Sequence, residues 1–379
     1  MHTTTTSLAF ALFTAGLCGQ TIVQTWPVAY ANAFVGGVGL DHVTDTVWVV
    51  DETNDLITQF SRTGTQLTQF GPPAVPGIAS PQPIGVKVHP VTGNLWIVDE
   101  AEVVYEMTRT GALVRSFSVL PAIADASAIA LDVTNQRIFV SNDSARLLGE
   151  FDQTGVNLGT ISLVGAGSVD PDGLTYNPIN DHFYLGEDTG DQLIEVDRTG
   201  ALVQAFPLAA LAISPEGIDI DTRSGTFFIG GGFTQRAVFE VAGIITPGPG
   251  TATVYGTGCP DSGNTVPVLN VSQAPHIGTS VAIAFQGSTT VQSLGWFVVG
   301  ISRVTIPLAP FGAGSCVLNN DPLVVLPPFV TSNGRAGFVL AYPASLGPST
   351  FMFTGVFLPD GTANGIGLSG SNGLELAFQ

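Results

Sequence analysis

Gly217-Ile-Asp-Ile-Asp221 is one of five similar segments that recur about every 45 residues between residues 37 and 241. The other four are Gly37-Val-Gly-Leu-Asp41, Gly85-Val-Lys-Val-His89, Ala128-Ile-Ala-Leu-Asp132 and Gly173-Leu-Thr-Tyr-Asn177. Each segment alternates apolar and other residues like a short strand, and further strand-like runs follow it in each repeat. A repeat of this length that is built only of short strands is typical of a radial array of four-stranded blades. The repeat therefore predicts an all-β fold that begins with a β-propeller.

Two further positions recur in register with these segments. Eleven residues after each small opening residue stands an aromatic residue, namely Trp48, Trp96, Phe139, Tyr184 and Phe228. We expect the aromatic residues to pack between neighbouring blades. The small opening residues suit innermost strands that converge on one axis, where a bulky side chain would not fit. Four repeats also turn on a glycine, as in Arg62-Thr-Gly64, where a tight hairpin needs a positive φ angle.

The two ends of the repeat region predict how the ring closes. The fifth repeat has a weak last strand, because only Ile244-Ile-Thr246 precedes Pro247. The segment Thr21–Trp26 resembles the outer strand Gln66–Phe70. We therefore expect it to pair beside Ala237–Val241 and to cover that exposed edge. The count is five blades, or six if residues 21–36 and 242–255 build a degenerate blade.

Composition and charge restrict the compartment and the partners. The chain of 379 residues has a net charge of −19 and a single lysine, Lys87, which argues against nucleic-acid binding. The apolar run at residues 8–17 fits the hydrophobic part of a signal peptide and is too short to span a bilayer. We therefore expect a secreted or cell-surface protein, monomeric, without a transmembrane segment in the mature chain.

A change of composition at Pro247-Gly-Pro-Gly250 marks a linker between two domains. Of the 30 acidic residues, only Asp261, Asp321, Asp360 and Glu375 follow it. Short strands with Pro and Gly turns predict a C-terminal β-sandwich. Two cysteines remain after the signal peptide, Cys259 and Cys316, and an even count in an exported chain predicts one disulfide. The expected division is a signal peptide at 1–19, a propeller at 20–246, a linker at 247–252 and a sandwich at 253–379.

Two resemblances to known families accompany these patterns. Pro171-Asp-Gly173 and Pro215-Glu-Gly217, with the Gly-Ile-Asp-Ile-Asp strand, resemble NHL-repeat and SdiA-regulated-type propellers, which bind, scaffold and occasionally catalyse. Tyr255-Gly-Thr-Gly-Cys-Pro260, Cys316 and Ser371-Asn-Gly-Leu374 resemble a C-terminal domain of secreted planctomycete proteins. The second resemblance implies a secreted modular protein, with the terminal domain serving surface association or export.

A ring of acidic residues is the candidate site. In a four-stranded blade, the loop that enters the inner strand and the loop after the second strand open on the same face. The first loop carries Asp172 and Glu216, and the second carries Asp51-Glu52, Asp99-Glu100, Asn142-Asp143 and Glu187-Asp188. We expect Asp51, Asp99, Asn142, Asp172, Glu187 and Glu216 to bind a ligand, and Asp172 and Glu216 to hold a metal. Oxygen ligands gathered in this way suit Ca²⁺. Alternatively, the site binds a cationic or sugar ligand without a metal, or the carboxylates only solvate the loops.

On the other face, Asp41, His89, Asp132, Asn177 and Asp221 end the inner strands, and we expect them to cap the turns that follow. The histidines His42, His89 and His182 fall beside those turns, away from the acidic loops. The sequence therefore favours a non-enzymatic propeller that binds an unidentified ligand or protein partner. The alternative is a calcium-dependent, lactonase- or lyase-like enzyme that acts at the acidic channel mouth.

Overall fold

The computed structural model describes residues 19–289, 294–314, 316–358 and 367–379. The signal-peptide prediction for residues 1–19 lies almost wholly outside this range. The described residues are all-β apart from a four-residue helix, Gly232–Gln235, and 3₁₀ turns at Val164–Ala166, Ala209–Leu211 and Ala309–Phe311. None of the helices described is long and apolar enough to cross a membrane.

Five four-stranded antiparallel sheets make up the described N-terminal part. The first four are consecutive in the chain: β2 (Val35–Asp41), β3 (Thr46–Asp51), β4 (Leu56–Ser61) and β5 (Gln66–Phe70); β6 (Pro83–Val88), β7 (Leu95–Asp99), β8 (Val103–Met107) and β9 (Leu113–Ser118); β10 (Ala126–Asp132), β11 (Arg137–Asn142), β12 (Leu147–Asp152) and β13 (Asn157–Ser162); β14 (Gly173–Asn177), β15 (His182–Glu187), β16 (Gln192–Val196) and β17 (Leu202–Pro207). The fifth combines β18 (Ile218–Asp221), β19 (Thr226–Gly230) and β20 (Ala237–Ala242) with the N-terminal β1 (Thr21–Pro27).

The N-terminal strand completes the last sheet, as the sequence predicted. Thr25 pairs with Phe239 and Trp26 pairs with Val238 in antiparallel register. The innermost strands touch one another in the order β2, β6, β10, β14, β18 and back to β2, so the five sheets close into a propeller ring.

The small residues and the recurring aromatics have the predicted packing roles. A Cβ atom on Gly37 would lie 2.7 Å from the Cα of Gly85, and one on Gly217 would lie 2.6 Å from the Cα of Gly37. The five aromatics are buried, and each packs against the next sheet; Tyr184, for example, contacts Phe227 with ring centroids 5.1 Å apart.

The C-terminal part consists of two larger sheets packed face to face and one small sheet. One contains β21 (Thr251–Tyr255), β31 (Ser369–Phe378), β30 (Ser349–Leu358), β24 (Leu294–Gly300), β27 (Val324–Val325) and β28 (Phe329–Val330); the second contains β22 (Val268–Val271), β23 (Ser280–Gln286) and β29 (Arg335–Ala341); the small one contains β25 (Arg303–Pro307) and β26 (Val317–Asn320). Phe285 of the second sheet packs against Phe297 of the first inside their shared core. Cys259 and Cys316 form the predicted disulfide, with Cα atoms 5.0 Å apart.

The sandwich is anchored to one end of the propeller. Arg335 of β29 is fully buried and donates two hydrogen bonds of 2.9 Å to the carboxylate of Asp41, at the end of β2. It also donates to the carbonyl of Pro90. Arg109 bonds the same Asp41 carboxylate at 2.9 Å and Gln286 of the sandwich at 2.9 Å. The sequence patterns did not predict this contact.

Candidate functional site: an acidic cavity at the propeller mouth

The end of the propeller opposite the sandwich holds a cavity of about 310 Å³. Gly36, near the start of β2, lines it, whereas Asp41 at the end of the same strand contacts the sandwich. We call this cavity the acidic mouth; its acidic lining residues are Glu52, Glu100, Glu102, Asp125, Asp143, Asp172 and Glu216. They come from the loops that enter inner strands and from the turns after second strands, as the blade geometry predicted.

Asp172 belongs to two groups of carboxylates at this mouth. One group joins it to Asp143 and Asp170, and the other joins it to Asp188 and Glu216. In each group, one oxygen per residue lies within 4.8 Å of the others. Oxygens that bind one Ca²⁺ at 2.3–2.6 Å can be up to about 5 Å apart, so the spacing fits this ion. The Oδ2 atom of Asp172 is buried without a hydrogen-bond partner among the described residues.

Glu187 holds the loop that carries two of these carboxylates. Its carboxylate accepts hydrogen bonds from the Ser168 hydroxyl, from the Val169 amide at 3.0 Å and from the Asp170 amide at 3.1 Å. The next residue is held as well, because the Ser127 hydroxyl donates to the carbonyl of Pro171 at 2.8 Å. The chain therefore reaches Asp172 from a fixed loop, which favours a preorganised site.

Glycines allow two mouth carboxylates to lie against the backbone. A Cβ atom on Gly36 would lie 1.8 Å from the Oε1 atom of Glu52, and one on Gly232 would lie 2.6 Å from the Oε1 atom of Glu216. Gly232 also has a φ angle of +56°, which a residue with a side chain rarely adopts. Side chains at these two positions would displace the carboxylates.

Burial and mutual repulsion make the mouth carboxyls weak acids. Burial, with repulsion from Glu216, raises the pKa of Asp172 to about 9 and that of Glu52 to about 9. Burial, with repulsion from Asp188, raises the pKa of Glu216 to about 8, and burial with a hydrogen bond to Asp170 raises that of Asp143 to about 7. These groups hold protons near neutral pH, and a divalent cation would displace them.

The structure brings together only part of the predicted site. Asp172 and Glu216 line the mouth, but Asp51, Asp99, Asn142 and Glu187 do not; they are buried at the ends of second strands, where they accept hydrogen bonds from turns and loops. Their sequence neighbours supply the acidic groups at the mouth instead: Glu52, Glu100, Asp143 and Asp188. Adjacent residues of a strand point to opposite faces, so a shift of one residue separates a turn cap from a lining residue.

Residues on the opposite face cap turns, as predicted. The carboxylate of Asp132 accepts from the amide of Asn135, and the side chain of Asn177 accepts from the amide of Ile179.

The only lysine of the chain lies between the two ends of the propeller. Lys87 donates to the carbonyls of Val38 and Ile218, and its Nζ atom lies 3.6 Å from the carboxylate of Asp219.

Comparisons with known proteins give structural similarity only. No protein-family model matches the sequence, and no curated protein does. Among solved structures, the chain is similar to a streptogramin B lyase at 13% identity and a TM-score of 0.39, over 95% of this chain and 99% of that one. It is also similar to a gluconolactonase from Xanthomonas campestris at 15% identity and a TM-score of 0.40, over 55% of this chain and 86% of that one.

Proposed function

We propose that this protein is a secreted, five-bladed propeller that binds Ca²⁺ at its acidic mouth and uses the bound ion to hold a ligand. The observation that carries this proposal is the position of Asp172 among two groups of carboxylates, where one of its oxygens is buried without a hydrogen-bond partner in the described part of the chain. A bound cation would offset the repulsion among these groups. It would also give the Asp172 oxygen the partner that buried polar atoms normally have.

The ligand, in this proposal, carries oxygen donors. Each carboxylate group offers three protein oxygens, whereas Ca²⁺ takes six to eight. The cavity of about 310 Å³ leaves room for hydroxyl or carboxylate oxygens of a small acid or sugar acid to complete the coordination. A net charge of −19 disfavours such an anionic ligand until the cation is in place.

Calcium titration of a charge-removing variant tests this function. Asp172→Asn with Glu216→Gln preserves side-chain shape and removes two mouth charges. We expect Ca²⁺ to raise the stability of the wild type by about 2.7 kcal/mol at a hundredfold excess over Kd, and the variant to lose the part of this gain that comes from the mouth. The matched control is Glu150→Gln with Glu375→Gln, which removes two partly exposed ion-pair carboxylates outside the mouth. Equal calcium responses in the two double variants would contradict the proposal.

A calcium-dependent lyase or lactonase is the second candidate. It is favoured by Glu52, which lines the mouth outside both three-carboxylate groups and whose pKa burial raises to about 9, so that it holds a proton to donate at neutral pH. A panel of lactones and uronate sugars separates the two functions. Turnover that the Asp172→Asn, Glu216→Gln variant loses would establish the enzyme, and saturable binding without turnover would establish the binding protein.

Export and the role of the sandwich complete the proposal. The disulfide and the apolar segment at residues 8–17 support secretion. N-terminal sequencing of protein recovered from the culture medium tests it, with cleavage expected near residues 18–20. The sandwich covers the end of the propeller away from the mouth, so it leaves the mouth open while serving surface association. In this proposal the propeller belongs to the NHL-type propellers, and the sandwich belongs to the C-terminal domains of secreted planctomycete proteins.

A further inference from the structure

A polar network crosses the interior of the propeller ring between the acidic mouth and the sandwich. It is built from the third residue of the repeated segments, which is Gly39, Lys87, Ala130, Thr175 and Asp219 in turn. The side chain of Lys87, on β6, donates to the carbonyl of Ile218 on β18. In the ring, β2 lies between these two strands, so Lys87 reaches past its neighbouring strand to a more distant one.

Asp219 collects the bonds of this network. It is buried, and its carboxylate accepts from the Thr175 hydroxyl on β14 at 2.7 Å and from the Leu40 amide on β2 at 2.7 Å. The Nζ atom of Lys87 lies 3.6 Å from this carboxylate and also donates to the carbonyl of Val38. A single carboxylate on β18 therefore joins the inner strands of four blades.

The network lies at a constant spacing from two carboxyls of the mouth. Thr175 follows Asp172 by three residues, and Asp219 follows Glu216 by three residues on the next inner strand. The two strand entries also pack together, because a Cβ atom on Gly173 would overlap the carbonyl oxygen of Glu216. Asp172 and Glu216 belong to one of the two carboxylate groups. A shift of β14 along β18 would therefore change the separation of their oxygens.

The ring of blades does not require this network. At the same position β2 and β10 have Gly39 and Ala130, and both strands still pack in the ring. Replacing a buried ion pair such as Lys87 with Asp219 by apolar residues of similar volume is often neutral or stabilising. The best attested role of such groups is to fix one register. The register that this network fixes is the one that brings Asp172 and Glu216 together.

We propose that Asp219 is a positioning residue of the acidic mouth, which acts through Thr175 and Lys87 to hold Asp172 and Glu216 at the spacing that Ca²⁺ requires. Asp219 thereby supports the calcium site of the proposed function, on which this role rests. It does not line the mouth itself. It contributes by fixing the strands that carry two ligands before the ion binds.

Calcium titration of Thr175→Val beside Thr226→Val tests this role. Both threonines are buried and donate to a buried carboxylate, Thr175 to Asp219 and Thr226 to Glu240 at 2.9 Å. Valine keeps the shape of each side chain and removes the hydroxyl. We expect Thr175→Val to raise the calcium Kd of the mouth by about tenfold, the effect typical of residues that orient metal ligands, and Thr226→Val to leave it unchanged.

The calcium Kd separates positioning from a merely structural role. A loss of stability lowers the free energy of unfolding in both variants but does not change the Kd of the folded protein. Thr175→Ser keeps the hydroxyl, so it should restore the wild-type Kd. The binding that belongs to the mouth is the part that Asp172→Asn with Glu216→Gln removes.

Amide hydrogen exchange in calcium-free protein gives a second reading. The amide of Gly217, next to Glu216, donates to the carbonyl of Gly36 at 3.0 Å. Thr175→Val should release the start of β18 and speed exchange at this amide several-fold relative to Thr226→Val. Equal calcium Kd values in the two variants, or equal exchange at Gly217, would overturn the positioning role. A wild type that binds no calcium would contradict the proposed function instead, and the exchange rates would still decide whether the network fixes these strands.

Discussion

Replacing Arg335 with methionine should lower the free energy of unfolding of the protein by several kcal/mol. Arg335 is fully buried and donates twice to Asp41 and twice to the carbonyl of Pro90. Removing one partner of a buried ion pair costs about 3–5 kcal/mol, because the other charge stays buried. In this protein Asp41 keeps its ion pair with Arg109 at 2.9 Å. We therefore expect a loss of stability at the lower end of this range, about 3 kcal/mol. Methionine fills most of the same space, which separates the charge effect from a cavity effect.

Urea unfolding of Arg335→Met beside Arg303→Met measures this effect. Arg303 also belongs to the sandwich and bonds Glu375 at 2.6 Å, but its side chain is 45% exposed. An exposed pair of this kind contributes up to about 1 kcal/mol. If both variants lose the same free energy of unfolding, the buried contact between Arg335 and Asp41 contributes no more to stability than an exposed ion pair.

Three further outcomes are expected. Without calcium, the free energy of unfolding measured in urea should fall as the pH rises from about 4.5 to about 9. The raised pKa values of the mouth carboxyls make the folded state bind more protons than the unfolded state in this range. A free energy of unfolding that does not change with pH would count against the shifts of Asp172 and Glu52. Trp26→Ala should cost about 3–5 kcal/mol, since it empties a buried position in the closing strand, and denaturation showing a loss below 1 kcal/mol would mean that this strand does not hold the ring. Reducing the Cys259–Cys316 bridge should cost roughly 4 kcal/mol on the chain-entropy model, and unchanged unfolding with and without reductant would exclude this contribution.

The features that the sequence predicted are those that every blade repeats. Gly37 and Trp48 recur in register because each blade meets the same two neighbours, so five instances reinforce one inference. The pairing of Thr21–Trp26 could be predicted for the same reason, since it fills a place that the other blades show to be occupied. Features that occur once had no such support. Arg335 and Asp41 are 294 positions apart, and no periodicity connects them.

At the candidate site, too, the features that every blade repeats could be predicted, and the features that occur once could not. The face on which the acids gather follows from the blade, so Asp172 and Glu216 were placed correctly at the mouth. The choice between Asp51 and Glu52 depends on which way one side chain turns at the end of a strand, and composition carries no signal for it. Asp51 is the residue whose neighbours supply hydrogen-bond donors, including Asn54 three positions later, and that local pattern could have identified it as a turn cap.

Comparison of one blade with the next also explains how the ring carries its internal charges. The arginine of a blade's last turn bonds the aspartate that ends the inner strand of the preceding blade, in three pairs: Arg62 with Asp221, Arg109 with Asp41, and Arg198 with Asp132. The third blade has Gln153 at the arginine position, and the blade before it has His89 at the aspartate position. Both charged residues are thus replaced at the same interface, so neither an arginine nor an aspartate is buried there without its partner.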